Sequence, residues 1–423
     1  MSRRPTAMGG MRAAKMMQPR SLTALLLAGL LGNAAGQERE LGRIVLSEPA
    51  GLPRTEEYVE VSVQASLDEF SLSGDRVYAI AENSGKKIEC QIFQRRILPA
   101  GKQVLFSIIF PVSLQPHERR VLHLKTGPPD PAQTNPATDL QAHGDALELR
   151  VENEFFVADL TSSTSSEGKG HRSGQLRELF IKSGFDQLLS RGENRIHWAP
   201  NFQRAGAEEY STIAGWDSPR LATLEQGPYL IHTQRQDVAP DHPEILLSAA
   251  YKFYANQPYL RFVSTMEITS EISLVLLRND EMTMDSLFTH VAFQRPGGEV
   301  FELPLAERYA VLERQPIEHD APWLCFYHRD KGYAFGSIRL REDNTNSFGS
   351  PSPTFEPHTR ISDGANGGKY WNRRLINERV TILPRGSRYA EENAYLVFKI
   401  EESDRFAAIK YWAERLRNPI RVH

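Results

Sequence analysis

Short runs of alternating or β-branched residues recur along almost the whole chain. The first group includes Tyr58–Val63, Val104–Phe110 and Arg120–Leu124, and Ser-Gly-Asp, Asn-Ser-Gly and Pro-Ala-Gly turns lie between such runs. Alternation with a period of two marks a strand that is buried on one face, and closely spaced turns join such strands into an antiparallel sandwich. The pattern therefore predicts a small N-terminal β-sandwich domain over residues 37–130.

Longer strand-like runs follow a proline-rich segment at 127–136, which is typical of a linker. They include Leu147–Phe156, Leu221–Gln236 and Leu260–Ile268. Helical repeats of roughly 10 to 15 residues do not separate them, so a doubly wound α/β fold is excluded. We predict an all-β chain in which residues 140–423 form an antiparallel β-supersandwich catalytic domain.

One helix is predicted near the C-terminus, from Asp404 to Arg417. Phe406, Ile409, Trp412 and Leu416 recur at helical spacing, and Asn418-Pro419 provides a stop. We expect this stripe to close a hydrophobic core.

Charge argues against a nucleic acid partner. The 423 residues carry 50 Lys plus Arg against 53 Asp plus Glu, and no stretch concentrates positive charge as binding to a phosphate backbone requires.

The first 36 residues carry five basic residues and no acidic one, followed by an apolar run at Leu22–Leu31 and small residues at Ala34 and Gly36. This predicts a signal peptide over residues 1–36 and a secreted or periplasmic protein. The apolar run is too short to cross a bilayer, which needs roughly 20 residues, so we expect no membrane span after cleavage.

The chain contains two cysteines, Cys90 and Cys325. In an oxidising compartment they are either bridged or two buried free thiols, and the sequence leaves both alternatives open.

The familiar motifs of nucleotide binding, serine hydrolysis and zinc proteolysis are absent from the sequence, and we predict no cofactor. The acidic segment at 278–285, with His290, leaves a calcium ion as an alternative, because carboxylates are the ligands that calcium prefers. A solvated loop is the other explanation.

Aromatic, amide and cationic side chains cluster in two segments of the second domain, at 195–217 and 366–374. Rings pack on the C–H face of a sugar, and Arg and Asn donate hydrogen bonds to its hydroxyl and carboxylate groups. The predicted substrate-binding residues are Trp198, Asn201, Arg204, Trp216, Asn279, Lys369, Trp371 and Arg374.

Residues 360–388 contain seven basic residues and two acidic ones in a chain whose net charge is −3. A positive segment in an acidic protein favours an acidic saccharide, such as a polyuronate, as the substrate. The alternative is that these arginines pair with carboxylates elsewhere in the fold.

Breaking a polyuronate by β-elimination requires a base, an acid and a group that neutralises the uronate carboxylate. We predict His197 and Tyr210 as the base and acid, with His290 and Tyr370 in reserve. Arg373 and Asn201 are predicted to neutralise the carboxylate. Because Arg373 and Arg374 are consecutive in an extended segment, only one of them can face the ligand.

The segments Leu46–Val61 and Leu147–Phe156 carry a resemblance to a known family. The chain resembles secreted polysaccharide lyases of the exo-rhamnogalacturonan lyase-like kind, which pair a small β-sandwich with a galactose mutarotase-like supersandwich. The resemblance implies β-elimination at a uronic acid by His, Tyr and Arg residues on the concave sheet.

Two other functions are compatible with the sequence. A glycoside hydrolase on the same fold needs two carboxylates, and Glu209, Asp217, Asp280 and Glu281 are available. An exported carbohydrate-binding protein without catalysis is the third alternative.

Overall fold

The computed structural model describes most of the chain beyond the N-terminal segment. The described residues are 26–27, 38–68, 70–71, 74–99, 101–128, 136–161, 171–182, 184–190, 195–284, 287–306, 311–312, 316–364 and 367–423. The predicted signal peptide lies outside the described residues, except for the short strand at 26–27. In the part of the chain that the structure describes, no helix is both long and apolar enough to cross a membrane.

The first part of the fold is a single eight-stranded sheet that bends over to make two layers. Its strands lie in the order β1-β3-β6-β5-β4-β7-β2-β28. Its strands are β1 (Leu26–Leu27), β2 (Arg39–Ser47), β3 (Arg54–Ser66), β4 (Arg76–Ala81), β5 (Lys87–Ile97), β6 (Gln103–Leu114), β7 (Arg119–Gly127) and β28 (Arg421–Val422).

The sheet folds over within β5, which pairs with β4 up to Cys90 and with β6 from Gln91 onward. Apolar side chains at every second position, such as Val61, Val63, Phe106 and Ile108, fill the space between its two halves. The alternation read from the sequence therefore produces a sandwich.

A five-stranded antiparallel sheet follows, in chain order. Its strands are β8 (Gln141–Gly144), β9 (Leu149–Glu152), β10 (Phe156–Asp159), β11 (Glu178–Ile181) and β12 (Gln187–Leu189).

Two larger antiparallel sheets make up the rest of the chain, with the order β14-β13-β19-β26-β25-β22 in one and β15-β16-β17-β18-β27-β24-β23-β20-β21 in the other. The six-stranded sheet contains β13 (Asn201–Arg204), β14 (Ser211–Thr212), β19 (Ile272–Met284), β22 (Ile317–Glu318), β25 (His358–Asp363) and β26 (Lys369–Leu383). The nine-stranded sheet contains β15 (Leu221–Gln226), β16 (Leu230–Ala239), β17 (His242–Tyr254), β18 (Tyr259–Ile268), β20 (His290–Gln294), β21 (Val300–Pro304), β23 (Trp323–Tyr327), β24 (Tyr333–Asp343) and β27 (Arg388–Lys399). A 3₁₀ turn at Ile213–Gly215 follows β14.

The largest hydrophobic core joins these two sheets and includes side chains from β13, β17, β19 and β26. The prediction of an all-β, sandwich-like fold with a C-terminal helix is confirmed. The predicted boundaries at 37–130 and 140–423 remain predictions.

The helix α1 (Ala407–Arg417) covers the other face of the nine-stranded sheet. It begins three residues after the predicted start, because the Asp404 side chain accepts a hydrogen bond from the Phe406 N–H and holds a turn there (3.2 Å). Ile409 is buried against Gly336 of β24, where an added Cβ would lie 2.7 Å from the Ile409 Cδ1. A glycine at this position is therefore what lets the helix approach the sheet so closely.

Both cysteines are buried free thiols, which excludes the bridged alternative. Burial raises the pKa of each thiol far above its usual value, so neither is a reactive thiolate.

Gln91 fixes the eight-stranded sheet to the turn between β15 and β16. Its amide donates to the carbonyl of Leu230 (2.7 Å), and its side-chain oxygen accepts from the backbone N–H groups of Tyr229 and Leu230 (2.9 Å each). A Cβ at Gly227 would collide with this side chain at 2.3 Å. The two parts of the chain therefore meet through a close, fully hydrogen-bonded contact.

Candidate functional site

The six-stranded sheet carries polar side chains on both of its faces. Between β19 and β26 the register pairs Arg278 with Arg374, Asp280 with Arg373, and Glu281 with Asn372. Successive side chains on a strand point to opposite faces, so Arg373 faces the nine-stranded sheet and Arg374 faces away from it. The predicted opposition of these two arginines is present in the structure.

The inner network is the set of buried polar groups between the two large sheets. We define it as His197, Tyr251, Asp280, Ser337, Trp371, Arg373, Glu391 and Tyr395. It links the six-stranded sheet, through Asp280 and Arg373, to the nine-stranded sheet.

Asp280 is the hub of the inner network. It accepts hydrogen bonds from Ser337 (2.6 Å), Trp371 (2.9 Å) and Tyr395 (3.1 Å). The Arg373 guanidinium pairs with Glu391 and lies 3.8 Å from Asp280. Burial lowers the pKa of Arg373, but the two adjacent carboxylates outweigh it and the net shift is upward. The positive charge of Arg373 is thus balanced by carboxylates inside the protein. Its guanidinium is buried and not accessible to a substrate carboxylate.

His197 is completely buried in the same network. Its Nδ1 lies 2.5 Å from the Tyr251 hydroxyl and its Nε2 lies 3.3 Å from the Tyr395 hydroxyl. Burial, and then the charge of Arg235, holds the pKa of His197 well below 6.5. The ring is therefore neutral at physiological pH and both of its nitrogens are occupied by tyrosines.

Tyr210 is not the partner of His197. It is 54% exposed, and its ring lies over the Arg278 guanidinium at 5.0 Å, on the other side of the six-stranded sheet. The predicted base and acid pair is therefore not assembled, because the alternation of side chains separates its two members by the thickness of the sheet.

His290, the predicted reserve base, lies elsewhere. It is on β20, half-buried, with its ring stacked on Tyr327 at 5.1 Å. Tyr327 in turn packs on Phe406, just before α1. His290 is therefore on the helix side of the nine-stranded sheet, remote from the six-stranded one.

Four predicted substrate-binding residues are buried or ion-paired within the fold. Trp216 and Trp371 are buried in the hydrophobic core, and Trp371 packs on Phe326 and Phe335. Asn279 is 1% exposed. The Lys369 ammonium pairs with Asp363 at the end of β26.

The outer face is the set of polar residues on the side of the six-stranded sheet that points away from the core. It comprises Trp198, Asn201, Tyr210, Arg278, Glu281, Tyr370, Asn372 and Arg374. Five of the predicted site residues are members, namely Trp198, Asn201, Tyr210, Tyr370 and Arg374. Arg204, on β13, is exposed and lies 3.7 Å from Glu244 instead.

Glu281 is central on the outer face. One of its oxygens accepts from Arg278 Nη1 and from Asn201 Nδ2, at 3.0 Å each. Burial lowers the pKa of Arg278, but the adjacent Glu281 carboxylate reverses this and raises it. The pair is a charge-assisted hydrogen bond beneath the exposed ring of Tyr210.

Arg374 forms the second half of the outer face. Its Nε donates to Asn372 (2.7 Å), and its Nη1 donates to Asn377 (2.7 Å) and to Glu378 (3.0 Å). Trp198 is half-buried beside this region, and its backbone N–H donates to the carbonyl of Glu281 (3.2 Å). Fork-shaped donors, amides and carboxylates thus lie on one side of the sheet, where Asn201, Arg278, Glu281, Asn372 and Arg374 are buried, Trp198 and Tyr370 are half-buried and Tyr210 is exposed.

Most of the basic residues at 360–388 are ion-paired with carboxylates. Besides the pairs of Arg373 and Lys369, Arg374 and Arg360 both approach Glu378, at 3.0 and 3.5 Å, and Arg388 lies 3.3 Å from Asp343. Five of the seven basic residues are thus paired, with Asp363 and Glu378 inside the segment and with Asp343 and Glu391 elsewhere in the fold, and Arg379 lies over the Phe355 ring at 4.6 Å.

Among the described residues there is no group of three or more His, Cys, Asp or Glu side chains that could hold a metal ion. Asp280 and Glu281 lie on opposite faces of the sheet, so they do not form a shared calcium site. Asp285, part of the same proposed segment, lies outside the described residues.

Sequence reasoning missed Glu391 and Tyr395 of the inner network and gave Arg278 no role in sugar binding. One usable signal was the spacing of Tyr370, Asn372 and Arg374, which places polar side chains at every second position of a strand. Read with a period of two, these three residues indicate a single polar face.

Neither protein-family models nor curated protein sequences match the chain. Solved structures do resemble it. A protein of glycosyl hydrolase family 38 from Enterococcus faecalis superposes with a TM-score of 0.50 and 11% identity, over 90% of this chain and 47% of its own. An α-mannosidase from Enterococcus faecalis V583 superposes with a TM-score of 0.52 and 12% identity, over 90% of this chain and 45% of its own.

The chain spans less than half the length of each of these proteins. Both are described as hydrolases of glycosidic bonds, which contradicts the predicted polysaccharide lyase, and the rhamnogalacturonan lyase resemblance is not supported. In the structure, His197 and Tyr210 lie on opposite sides of the six-stranded sheet and Arg373 is paired with Glu391. At this level of identity the likeness is one of fold, and the chain has the β-sandwich architecture found in these two proteins.

Proposed function

We propose that this protein is carbohydrate-active and that it binds a saccharide on the outer face of its six-stranded sheet. The observation that carries the proposal is that Asn201, Arg278, Glu281 and Arg374 lie on one side of the six-stranded sheet, with the exposed ring of Tyr210 over Arg278. The shared fold of the two glycosidases supports the choice of ligand class.

The chemistry of this surface suits a sugar ring. Tyr210 offers an exposed aromatic face to the C–H side of a pyranose. Beneath it, the donor Arg278 Nε and the acceptor Asn201 Oδ1 make no hydrogen bond to any described residue. A polyhydroxylated ligand needs both donors and acceptors, which this surface provides.

A neutral saccharide fits better than the acidic one expected from the sequence. Arg278 pairs with Glu281, and Arg374 and Arg360 pair with Glu378. A uronate carboxylate would have to compete with carboxylates that are already in place. We therefore propose that neutral oligosaccharides bind with little dependence on salt, since ion pairing contributes little to their binding.

Binding is tested by titration calorimetry with a panel of neutral oligosaccharides. Tyr210→Ala removes the stacking ring, and we expect it to weaken the affinity at least tenfold. Tyr411→Ala is the matched control, because Tyr411 is an exposed tyrosine on α1, which packs on the nine-stranded sheet. Equal affinities for wild type and Tyr210→Ala would exclude the outer face.

Glycoside hydrolysis is the reaction that we propose for this site. Most glycosidases use two carboxylates that flank the bond to be cleaved. Glu281 is hydrogen-bonded to Arg278, and Glu378 is hydrogen-bonded to Arg374. Asp280 is buried in the inner network. Glu209 and Asp217 are exposed on the loops around β14. Glu281, whose carboxylate is hydrogen-bonded to Arg278 and Asn201, is the residue that we propose as base or nucleophile.

The test of hydrolysis is release of reducing sugar from those oligosaccharides that bind. We expect Glu281→Gln to lower the turnover rate at least 100-fold and to leave the dissociation constant within a few-fold, because Gln can still accept from Asn201. Binding without turnover in the wild-type protein would instead support the non-catalytic carbohydrate-binding alternative.

A further inference from the structure

A cavity of about 510 Å³ lies at the junction between the eight-stranded sheet and the β15–β16 turn. Its walls come from the β4–β5 turn, from β6 and from β7, and Tyr229 closes it from the side of the nine-stranded sheet. It is separate in the fold from the outer face. Ligand sites are commonly found in clefts of roughly 300–1,000 Å³ at junctions of this kind.

The cavity is preformed. Gln91 holds Tyr229 and Leu230 through three hydrogen bonds, and the Tyr229 ring packs on Tyr58 with centroids 5.8 Å apart. A ligand entering it does not have to order the junction first, which reduces the entropic cost of binding.

The lining mixes an apolar floor with short polar groups. Tyr229, Ile88 and Pro111 provide apolar surface, whereas Asn83, Ser84 and Ser113 provide hydroxyl and amide groups. This is the same division that a pyranose presents, with one C–H face and a rim of hydroxyl groups.

Two of the cations at the cavity already have counter-ions. Lys87 donates to Glu38 (2.7 Å), and Arg120 donates to Glu118 (2.6 Å). Glu89 likewise lies 3.6 Å from Arg76. The other two charged residues of the lining, Glu56 and Lys86, have opposite signs, so the cavity has no excess of positive charge and an uncharged ligand is favoured over an anion.

We propose that this cavity is a second saccharide site, which takes one or two rings of a neutral sugar. It is independent of the outer face and of any hydrolysis there. A protein with both sites would hold one carbohydrate chain or two separate ones at two points, which raises the effective affinity for a long glycan.

The experiment uses the full chain with mannobiose and cellobiose as probes. Asn83→Trp places a large ring in the cavity from an exposed turn. Lys331→Trp, in the exposed turn between β23 and β24, is the matched control. We expect hydrogen exchange of wild type and of Lys331→Trp to slow at 81–89 and 111–122 when a probe is added, and Asn83→Trp to lose this protection.

Tyr210→Ala separates this inference from the proposed function. Protection of 81–89 should persist in Tyr210→Ala, because the cavity does not use the outer face. The inference is overturned if neither disaccharide slows exchange in the wild type, if Asn83→Trp is protected as the wild type is, or if glucuronate protects the cavity more strongly than the neutral probes. Weaker binding in Tyr210→Ala with no cavity protection in any variant would leave the proposed function standing alone.

Discussion

Arg373 and Arg374 are consecutive arginines on β26, and because side chains alternate along a strand they lie in different surroundings. Arg373 sits between Glu391 and Asp280 inside the sandwich, whereas the main carboxylate partner of Arg374, Glu378, is 69% exposed. A buried charge that loses its partner is not solvated by water, so removing one partner of a buried ion pair is strongly destabilising. The same substitution should therefore have very different consequences at the two positions.

We expect Arg373→Ala to lower the free energy of unfolding by about 3–5 kcal/mol, because it strands two buried carboxylates. Arg374→Ala should cost about 1–2 kcal/mol, since water can reach Glu378. Urea unfolding of both variants measures the difference. Similar losses at the two positions would show that the inner network does not depend on Arg373.

His197 makes stability depend on pH. The unfolded chain takes up a proton near pH 6.5, whereas the buried ring does not, so stability is complete above this pH and declines as the pH falls below it. One such group contributes a slope of about 1.4 kcal/mol per pH unit. His242, His290, His319 and His358 also have lowered pKa values and add to the wild-type slope.

The contribution of His197 is isolated by comparing slopes. We expect urea unfolding of His197→Gln between pH 7 and 5 to show a slope smaller than that of the wild type, by a difference that grows to about 1.4 kcal/mol per pH unit at the acidic end. The exposed His143→Gln is the control for loss of a histidine. Parallel slopes for His197→Gln and the wild type would mean that His197 is protonated in the folded protein.

At the scale of elements, the contact between α1 and β24 depends on a single glycine. A Cβ at position 336 would lie 2.8 Å from the carbonyl oxygen of Leu324 on the neighbouring strand, as well as against Ile409. Backbone atoms of a central strand cannot move aside without breaking the ladder. We expect Gly336→Ala to destabilise the protein by about 1–3 kcal/mol, measured by urea unfolding.

Gly297→Ala is the matched control, because a Cβ there meets nothing within 4 Å. If the two alanine variants unfold at the same urea concentration, the close packing of α1 against β24 at Gly336 does not contribute to stability.

The strands also show how far the sequence could predict the candidate site. A period of two predicts that Arg373 and Arg374 oppose each other, and it predicts the all-β class. It does not predict which face turns inward, because alternation fixes only the relative direction of neighbours. In β19 the register shifts between Leu277 and Arg278 and again between Arg278 and Asp280. These bulges change the phase, so that Arg278 and Glu281 share the outer face while Asp280 turns inward.

Over the whole molecule, Gln91 joins the eight-stranded sheet to the nine-stranded one. Gln91→Ala leaves the N–H groups of Tyr229 and Leu230 and the carbonyl of Leu230 without their partner in a buried contact. We expect a loss of about 2–4 kcal/mol in the free energy of unfolding, together with faster amide exchange at 227–231.

Gln103→Ala, an exposed glutamine on β6, is the control for this prediction. Unchanged exchange at 227–231 in Gln91→Ala would show that packing, and not this amide, holds the junction.

The last strand, β28, returns to the first sheet. Val422 pairs with Leu46 and Arg421 with Ser47, and the buried Arg54 donates to the carbonyls of Arg415 and Asn418. A gene divided within the proline-rich segment would thus encode two polypeptides, of which the second carries β28, the edge strand of the first polypeptide's sheet. Co-expressed, they should reassemble without a covalent link, which makes this chain a natural candidate for a split-protein reporter.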